Sequence, residues 1–318
     1  MRRREFVGLV GGAAAWPVVA RAQQITRRKI GVLIASNTEP FLSSFKDALH
    51  QLGYVEGQNI QFEVRSAIGN QTILTTLANE LVRLKVDILV ASLTPAVTAA
   101  KQATTDIPIV MAAAGDPVGT GLISSLARPG GNITGLSGTT SEMGAKLLEI
   151  IRDILPSAAR VAVLANADDP FTESFLQQIE MGGRALSMSI QTYKVHSLEE
   201  FEAAFAAMQS ARTDAVIVQP SLSLKPAIDL ALKYRLPPIS PIWLFAQQGG
   251  LLSYSADQRV MYRRAASFVD RILKGDKPAD LPVEQPTKFD LVINLTTAKA
   301  LGINVPPALQ ARADEVIE

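Results

Sequence analysis

The chain contains no cysteine and only two histidines, His50 and His196, in 318 residues. Without cysteine there is no disulfide framework, no thiol nucleophile, no thiolate-held zinc or iron–sulfur cluster, and no N-terminal cysteine to carry a lipid. Two histidines so far apart in sequence offer little to a zinc enzyme or a serine–histidine relay. Charge of one sign is missing as well: 31 Lys and Arg stand against 30 Asp and Glu, a formal net charge of +1. A nucleic-acid surface needs clustered positive charge, so none is expected. No stretch beyond the first 22 residues reaches the ~18 uncharged apolar residues that mark a membrane span. Much conventional catalysis falls away before any motif is read.

The N-terminus reads as an address. Residues 1–22 are MRRREFVGLVGGAAAWPVVARA. Arg2, Arg3 and Arg4 precede an uncharged stretch from Phe6 to Ala20, and Ala20-Arg21-Ala22 forms an A-x-A-like cleavage site before Gln23. Arg3-Arg4-Glu5-Phe6-Val7 has the order of a twin-arginine signal, with an ordinary Sec signal as the alternative. Cleavage would remove four Arg and one Glu, leaving 27 basic and 29 acidic side chains and a net charge of −2. It would also make Trp243 the sole tryptophan. The expectation is an exported periplasmic protein that is not a lipoprotein.

Strands and helices alternate through the rest of the chain. Residues 29–35, 60–65, 87–91 and 107–112 read as strands. Between them, 40–52, the Leu74, Leu77, Leu81, Leu84 spacing and 94–103 read as helices. A second series starts near residue 139, where Thr139 and Glu142 form a candidate capping box. It continues with strands at 161–165, 189–195, 215–219, 239–241 and 251–254, and helices at 143–154, 171–186 and 198–209. A long helix over 257–274 ends at Gly275, and a proline-rich closing segment holds one strand at 291–295. Such alternation implies βαβ units and mostly parallel sheets, with ligands at the strand C-termini.

The two series repeat each other. Ala35, Pro40, Phe41, Ser44 and Phe45 recur as Ala165, Pro170, Phe171, Ser174 and Phe175, at a constant offset of 130. Asp87 before the third strand meets Asp214, at offset 127. A repeat this long is a whole domain. The expected fold is therefore two similar Rossmann-like α/β lobes. Lobe 1 is assigned residues 23–138 plus 242–276, and lobe 2 residues 139–241 plus 277–318.

If the lobes face across a cleft, the loops after their strands supply the candidate ligand-binding residues. These are Ser36, Asn37, Ser92 and Thr94, then Gly115 and Asp116, and Asn166, Asp169 and Ser221 in the second lobe. Most carry hydroxyls or amides, and several precede helix starts, whose free N–H groups favour an anion such as a carboxylate. Each also has a local alternative. Thr94 before Pro95 suits an N-cap, Asp168 and Asp169 before Pro170 suit caps, and Asp116-Pro117 suits a plain turn. Phe41 and Phe171 are either staples within their lobes or aromatic walls of the cleft, and Trp243 is a candidate aromatic contact. The glycines around Asp116 match no phosphate-binding fingerprint. No loop pairs a nucleophile with a base or assembles a metal cage. No catalytic residue, metal or cofactor is expected, and a binder is favoured over an enzyme.

Five segments carry a family resemblance: AAAGDPVG at 112–119, LARPGGNITG at 126–135, GGLLSY at 249–254, DLPVEQP at 280–286 and ARADEVI at 311–317. With these the chain resembles ABC-transporter solute-binding proteins of the type I periplasmic-binding fold, and within them the tryptophan- and tyrosine-type binders. The resemblance implies two lobes joined by three crossings. It implies closure on a small solute, an amino acid with aromatic ones favoured, which a monomer delivers to a membrane permease and, indirectly, its ATPase. Ser92, Thr94 and Asn166 are the polar contacts it favours. The loops 36–41 (SNTEPF) and 166–171 (NADDPF) are acidic, which disfavours an anionic solute and suits a zwitterion or a neutral amide. The alternatives are a sensing domain that docks on a membrane receptor, or a small-metabolite enzyme on a doubly wound fold.

Overall fold

The computed structural model describes residues 27–36, 38–68, 70–138 and 143–318. The leader at 1–22, Asn37 and the Thr139–Glu142 capping box lie outside the described residues. Two parallel sheets organise the chain. The first contains β1 (Arg28–Ile34), β2 (Ile60–Ser66), β3 (Ile88–Ser92), β4 (Ile109–Ala114) and β5 (Ile133–Ser137), in the order β2-β1-β3-β4-β5. The second contains β6 (Arg160–Asn166), β7 (Ser189–Val195), β8 (Ala215–Val218), β9 (Pro238–Ser240) and β10 (Leu252–Ala256), with β11 (Phe289–Asn294) and β12 (Glu315–Ile317) at one edge. Its order, β7-β6-β8-β9-β10-β11-β12, repeats that of the first sheet before β11 joins β10 antiparallel. The two α/β lobes expected from the repeat are present.

Helices cover both faces of each sheet, which is why β3 and β4 are buried along their whole length. In the first lobe α1 (Phe41–Gln51) and α9 (Gln258–Leu273) share one core with Ile30, Val32, Val90 and Val110. The other face packs under α2 (Leu74–Arg83) and α3 (Leu93–Ala103). In the second lobe α4 (Met143–Ile154) and α5 (Thr172–Ala185) lie on one face, and α6 (Phe201–Ser210), α7 (Leu224–Lys233) and α8 (Leu244–Gln247) on the other. Two short helices, α10 (Leu295–Leu301) and α11 (Pro307–Gln310), complete the second lobe.

The repeated residues have repeated jobs. Asp87 accepts the Lys29 backbone N–H at 2.7 Å, and Asp214 accepts those of Ala159 and Arg160 at 2.9 and 2.8 Å. Each carboxylate thus ties the start of the first strand of its lobe to the start of the third. Phe41 pairs with Phe45, and Phe171 with Phe175, both at 5.6 Å between ring centroids. These side chains anchor α1 and α5 on their sheets.

Three differences from the sequence expectation bear on the site. β5 is absent from that expectation because Gly135 interrupts its apolar run. The glycine is required there: its φ is +126°, and a Cβ would lie 2.4 Å from the Met111 carbonyl oxygen. α7 is hidden by Pro226, which sits in its first turn, where a missing N–H costs nothing. Third, β10 hydrogen-bonds to β9 and β11, so residues 242–256 belong with the second sheet rather than opening the return into the first lobe. The chain re-enters the first lobe only at Asp257. Residues up to Glu284 stay there: Glu284 N–H donates to the Gly135 carbonyl, and its own carbonyl accepts from Ser137 N–H. The crossings therefore come after β5, β10 and Glu284.

The second crossing is pinned by a helix cap. Asp257 accepts the N–H groups of Arg259 and Val260 at 2.9 and 3.3 Å, starting α9 at the hinge. Asp257→Ala is expected to cost about 1 kcal/mol. Thermal unfolding of the ligand-free protein should show a melting point lower by about 2–4 °C.

Candidate functional site

The strand C-termini of both sheets face a common cleft. It has an outer part of about 710 Å³ and an inner cavity of about 40 Å³, which share Leu93, Pro220, Ser221 and Gln258 as walls. Of the residues singled out from sequence, Ser36, Phe41, Ser92, Asn166 and Ser221 line the outer part. Thr94, Gly115, Asp169 and Phe171 line the inner cavity, again with Ser221.

Two lie elsewhere. Asp116 turns back on its own loop, accepting Gly119 N–H at 2.9 Å, and takes the Ser174 hydroxyl from the opposite lobe. Trp243 is not part of either wall. It lies beside the second crossing, with the Arg259 guanidinium of the first lobe 4.8 Å from its ring. Its contact spans the hinge, not the cavity.

The lobes meet across the cleft at several points. Gln71, just before α2, accepts from Asn166 Nδ2 at 2.7 Å and donates its own amide to the Ser221 carbonyl. Phe171 of the second lobe lies flat against Gly115 of the first, where a Cβ would come within 2.6 Å of the ring. Closure is thus sealed by an amide latch at the rim and by an aromatic ring on bare backbone inside.

Among the described residues, Asp169 is the only charged one in the inner cavity. Its position is fixed by a chain of hydrogen bonds that begins at the backbone. Asn166 N–H donates to Gln219 Oε1 at 2.8 Å, which forces Gln219 Nε2 to face outward and donate to Asp169 Oδ2 at 2.9 Å. Phe171 N–H donates to Asp169 Oδ1 at 2.9 Å. Burial pushes the Asp169 carboxyl above its ordinary value of 3.8, while hydrogen bonding by Ser221, Phe171 and Gln219 acts the other way and offsets only part of it. Asp169 does not cap α5, whose N-cap residue is Phe171 and which carries no side-chain cap; one of its oxygens closes a local turn onto Phe171 N–H, and the carboxylate is held inside the cavity at an energetic cost.

Opposite stands the N-terminus of α3. Ser92 is its N-cap residue and makes no side-chain cap, so the first-turn N–H groups gain nothing from it. Thr94 lies within the helix, not at its cap, and its hydroxyl accepts Gly115 N–H at 2.9 Å. This bond holds the loops after β3 and β4 together. Leu93 and Ala113, both in the cavity wall, have φ of +68°. Non-glycine residues rarely adopt that conformation, and it costs of order 1–3 kcal/mol each when it persists. Strain therefore concentrates where the two strands end at the cavity.

Sequence reasoning misses Ser255 and Gln258, which flank the second crossing and line the inner cavity. The Ser255 hydroxyl is buried without a hydrogen-bond partner. Ser221, also buried, turns its hydroxyl toward Asp169 and helps to hold that carboxylate. Buried hydroxyls normally find partners, so the unsatisfied Ser255 hydroxyl in the cavity wall marks a surface made to meet something polar. Among the described residues no cluster of His, Cys, Asp and Glu is arranged to hold a metal ion, and no helix is long and apolar enough to cross a membrane.

With this geometry in view, the comparisons with known proteins are decisive at the family level. The family model for ABC transporter substrate binding proteins matches residues 35–317. The chain belongs to that family. It is 27% identical over 265 residues to a protein of Clostridioides difficile called a tyrosine-binding protein, covering 81% of this chain and 75% of that relative. An ABC domain from Streptococcus pneumoniae solved in complex with L-Trp superposes with a TM-score of 0.84 at 27% identity, over 92% of this chain and 100% of that one. A conserved domain protein from Vibrio cholerae gives 0.84 at 28% identity, over 91% and 99%.

Proposed function

We propose that this family member is the periplasmic solute-binding component of an ABC importer, and that its solute is a zwitterionic amino acid with an aromatic side chain. The observation that carries this reading is the inner cavity, where one buried carboxylate faces a helix N-terminus. An α-ammonium group answers the carboxylate of Asp169, and an α-carboxylate answers the positive end of α3. An anion alone would meet Asp169, and a simple cation would meet the helix end; a zwitterion meets both. The outer cleft then receives the side chain between Phe41, Leu93, Ile242 and Leu244. The relatives named for tyrosine and tryptophan support the same class. Closure would shield the solute and form the surface that a permease reads; export through the 1–22 leader and a monomeric state complete the proposal.

A thermal-shift panel on residues 23–318 tests the solute class, since a ligand that binds only the folded state raises its melting point. Aromatic amino acids at about 100 times their Kd should add about 2.7 kcal/mol of stability, a shift of several degrees for a chain of this size. A shift with sugars or fatty acids and none with amino acids would contradict the reading.

A further inference from the structure

We infer that Asp116 is a positioning residue for closure: its carboxylate serves helix α5 of the opposite lobe, and so sets how tightly solute is held without touching it. This rests on the proposed reading that the lobes close on a small solute, and deepens it.

Asp116 follows β4 in the first lobe, and Ser174 stands in the first turn of α5 in the second. The Ser174 hydroxyl donates to Asp116 Oδ2, while Gly119 N–H holds Oδ1 at 2.9 Å and aims the carboxylate across the gap. α5 brings no side-chain cap of its own, since its N-cap residue is Phe171. Glu173, the acid in its first turn, pairs with Lys194 of the same lobe. The negative charge that favours a helix start therefore comes from the other lobe, and only while the lobes are together.

The turn that presents Asp116 is strained. Its φ is +35°, and its carbonyl accepts the Thr120 N–H and hydroxyl at 2.9 and 2.8 Å. Glycine would make the same turn more freely; aspartate adds the carboxylate. The internal repeat isolates that addition. Ser174 recurs as Ser44 at offset 130, whereas the same offset from Asp116 leads to Ala246. The serine belongs to the plan common to both lobes, and the acid stands on one side only, where the lobes touch. Neither Asp116 nor Ser174 lines the inner cavity or the outer cleft. A contact outside both acts on every solute alike.

Calorimetric titration of L-tyrosine and L-tryptophan into wild type, Ser174→Ala, Asp116→Asn and the double variant tests this, with Ser44→Ala as the control. Asparagine suits the positive φ and can still accept Gly119 N–H, so that variant removes the charge alone. Each single variant should bind both amino acids about threefold to tenfold more weakly. The double variant should lose less than the product of the two losses, because both act on one contact. The ratio of tyrosine to tryptophan affinity should stay as in wild type, and Ser44→Ala should bind as wild type does. Ligand-free Ser174→Ala should keep the wild-type melting point, because open lobes do not make the bond. Wild-type affinity in both single variants overturns the inference, as do losses that multiply. A loss for one amino acid alone overturns it too, by placing the pair at the solute. So does a lower melting point of ligand-free Ser174→Ala, which would make the bond part of the resting fold. Should wild type bind neither amino acid, the amino-acid reading fails. The variants are then titrated with the sugar or fatty acid that shifts the wild-type melting point: the same pattern upholds the latch, and its absence overturns it. A panel with no binder at all sinks both.

Discussion

Gly115→Ala is expected to weaken solute binding about tenfold to a hundredfold while leaving the ligand-free protein as stable as before. The added Cβ would lie 2.6–2.7 Å from three atoms of the Phe171 ring, closer than carbon atoms approach. The ring has little room to retreat. It is 4% exposed, packs against Phe175, and its backbone N–H is held by Asp169. Overpacking of this kind costs about 1–3 kcal/mol, and every 1.4 kcal/mol is tenfold in affinity. The clash exists only while the lobes are together, since Gly115 and Phe171 belong to opposite lobes. Hinge opening relieves it, and the Gly115 backbone is not in the left-handed region, so alanine fits the open protein without strain. Calorimetry should show the weaker Kd, and small-angle scattering should show a smaller ligand-induced contraction than in wild type. Wild-type affinity in Gly115→Ala would mean that the lobes do not close on the solute at this contact.

Asp169→Asn is expected to have the larger effect on binding and, unlike Gly115→Ala, to cost stability too. Asp169 accepts one N–H on each oxygen, from Phe171 and from Gln219. Asparagine has a single carbonyl oxygen, so in either orientation its NH₂ faces a donor. Gln219 cannot turn to help, because its Oε1 is held by Asn166 N–H. An unsatisfied buried group of this kind costs about 1–3 kcal/mol of stability. Binding loses the ammonium's partner, which for a buried charge pair is worth about 2–5 kcal/mol, at least about thirtyfold in Kd.

The pH dependence comes from the same residue. Its folded pKa is raised by burial above the unfolded value, so the ligand-free fold holds the proton more tightly than the unfolded chain. Its contribution to stability is therefore present at low pH and falls as pH rises from the ordinary carboxylate value through the raised one. An ammonium ligand prefers the ionised form, so amino-acid affinity should rise with pH over that window. Asp169→Asn should flatten the profile; an unchanged slope would assign the titration to another group.

Much of this architecture is legible in the sequence, because the residues that repeat at offset 130 are those that start the first helix of each lobe. Phe41, Phe45, Phe171 and Phe175 advertise two equivalent domains, and Asp87 and Asp214 mark equivalent strand starts. The loops after the strands are legible for the same reason. The hidden features depend on tertiary geometry. Leu93 and Ala113 carry the strained backbone of the cavity, yet neither residue type announces a positive φ. Ser255 looks like one more strand residue and Tyr262 like the apolar face of a long helix. Both line the cleft because the chain crosses back after Ala256, beyond β10, rather than after Pro241 as its composition suggests. Asp116 and Trp243 mislead the other way: their chemistry suits a ligand, but one is consumed by its loop and by Ser174, and the other by Arg259.

The central claim is that one aromatic zwitterion is enclosed between the lobes with its charged end at Asp169. Calorimetric titration of residues 23–318 with L-tyrosine and L-tryptophan, each beside its decarboxylated amine and its deaminated acid, tests it most directly. Saturable binding of one amino acid per chain is predicted, with a negative heat-capacity change from apolar burial. Both truncated analogues should bind much more weakly, since each lacks one of the two charges. Equal binding of the amino acid and its deaminated acid would contradict the claim, because the buried carboxylate would then have nothing to hold.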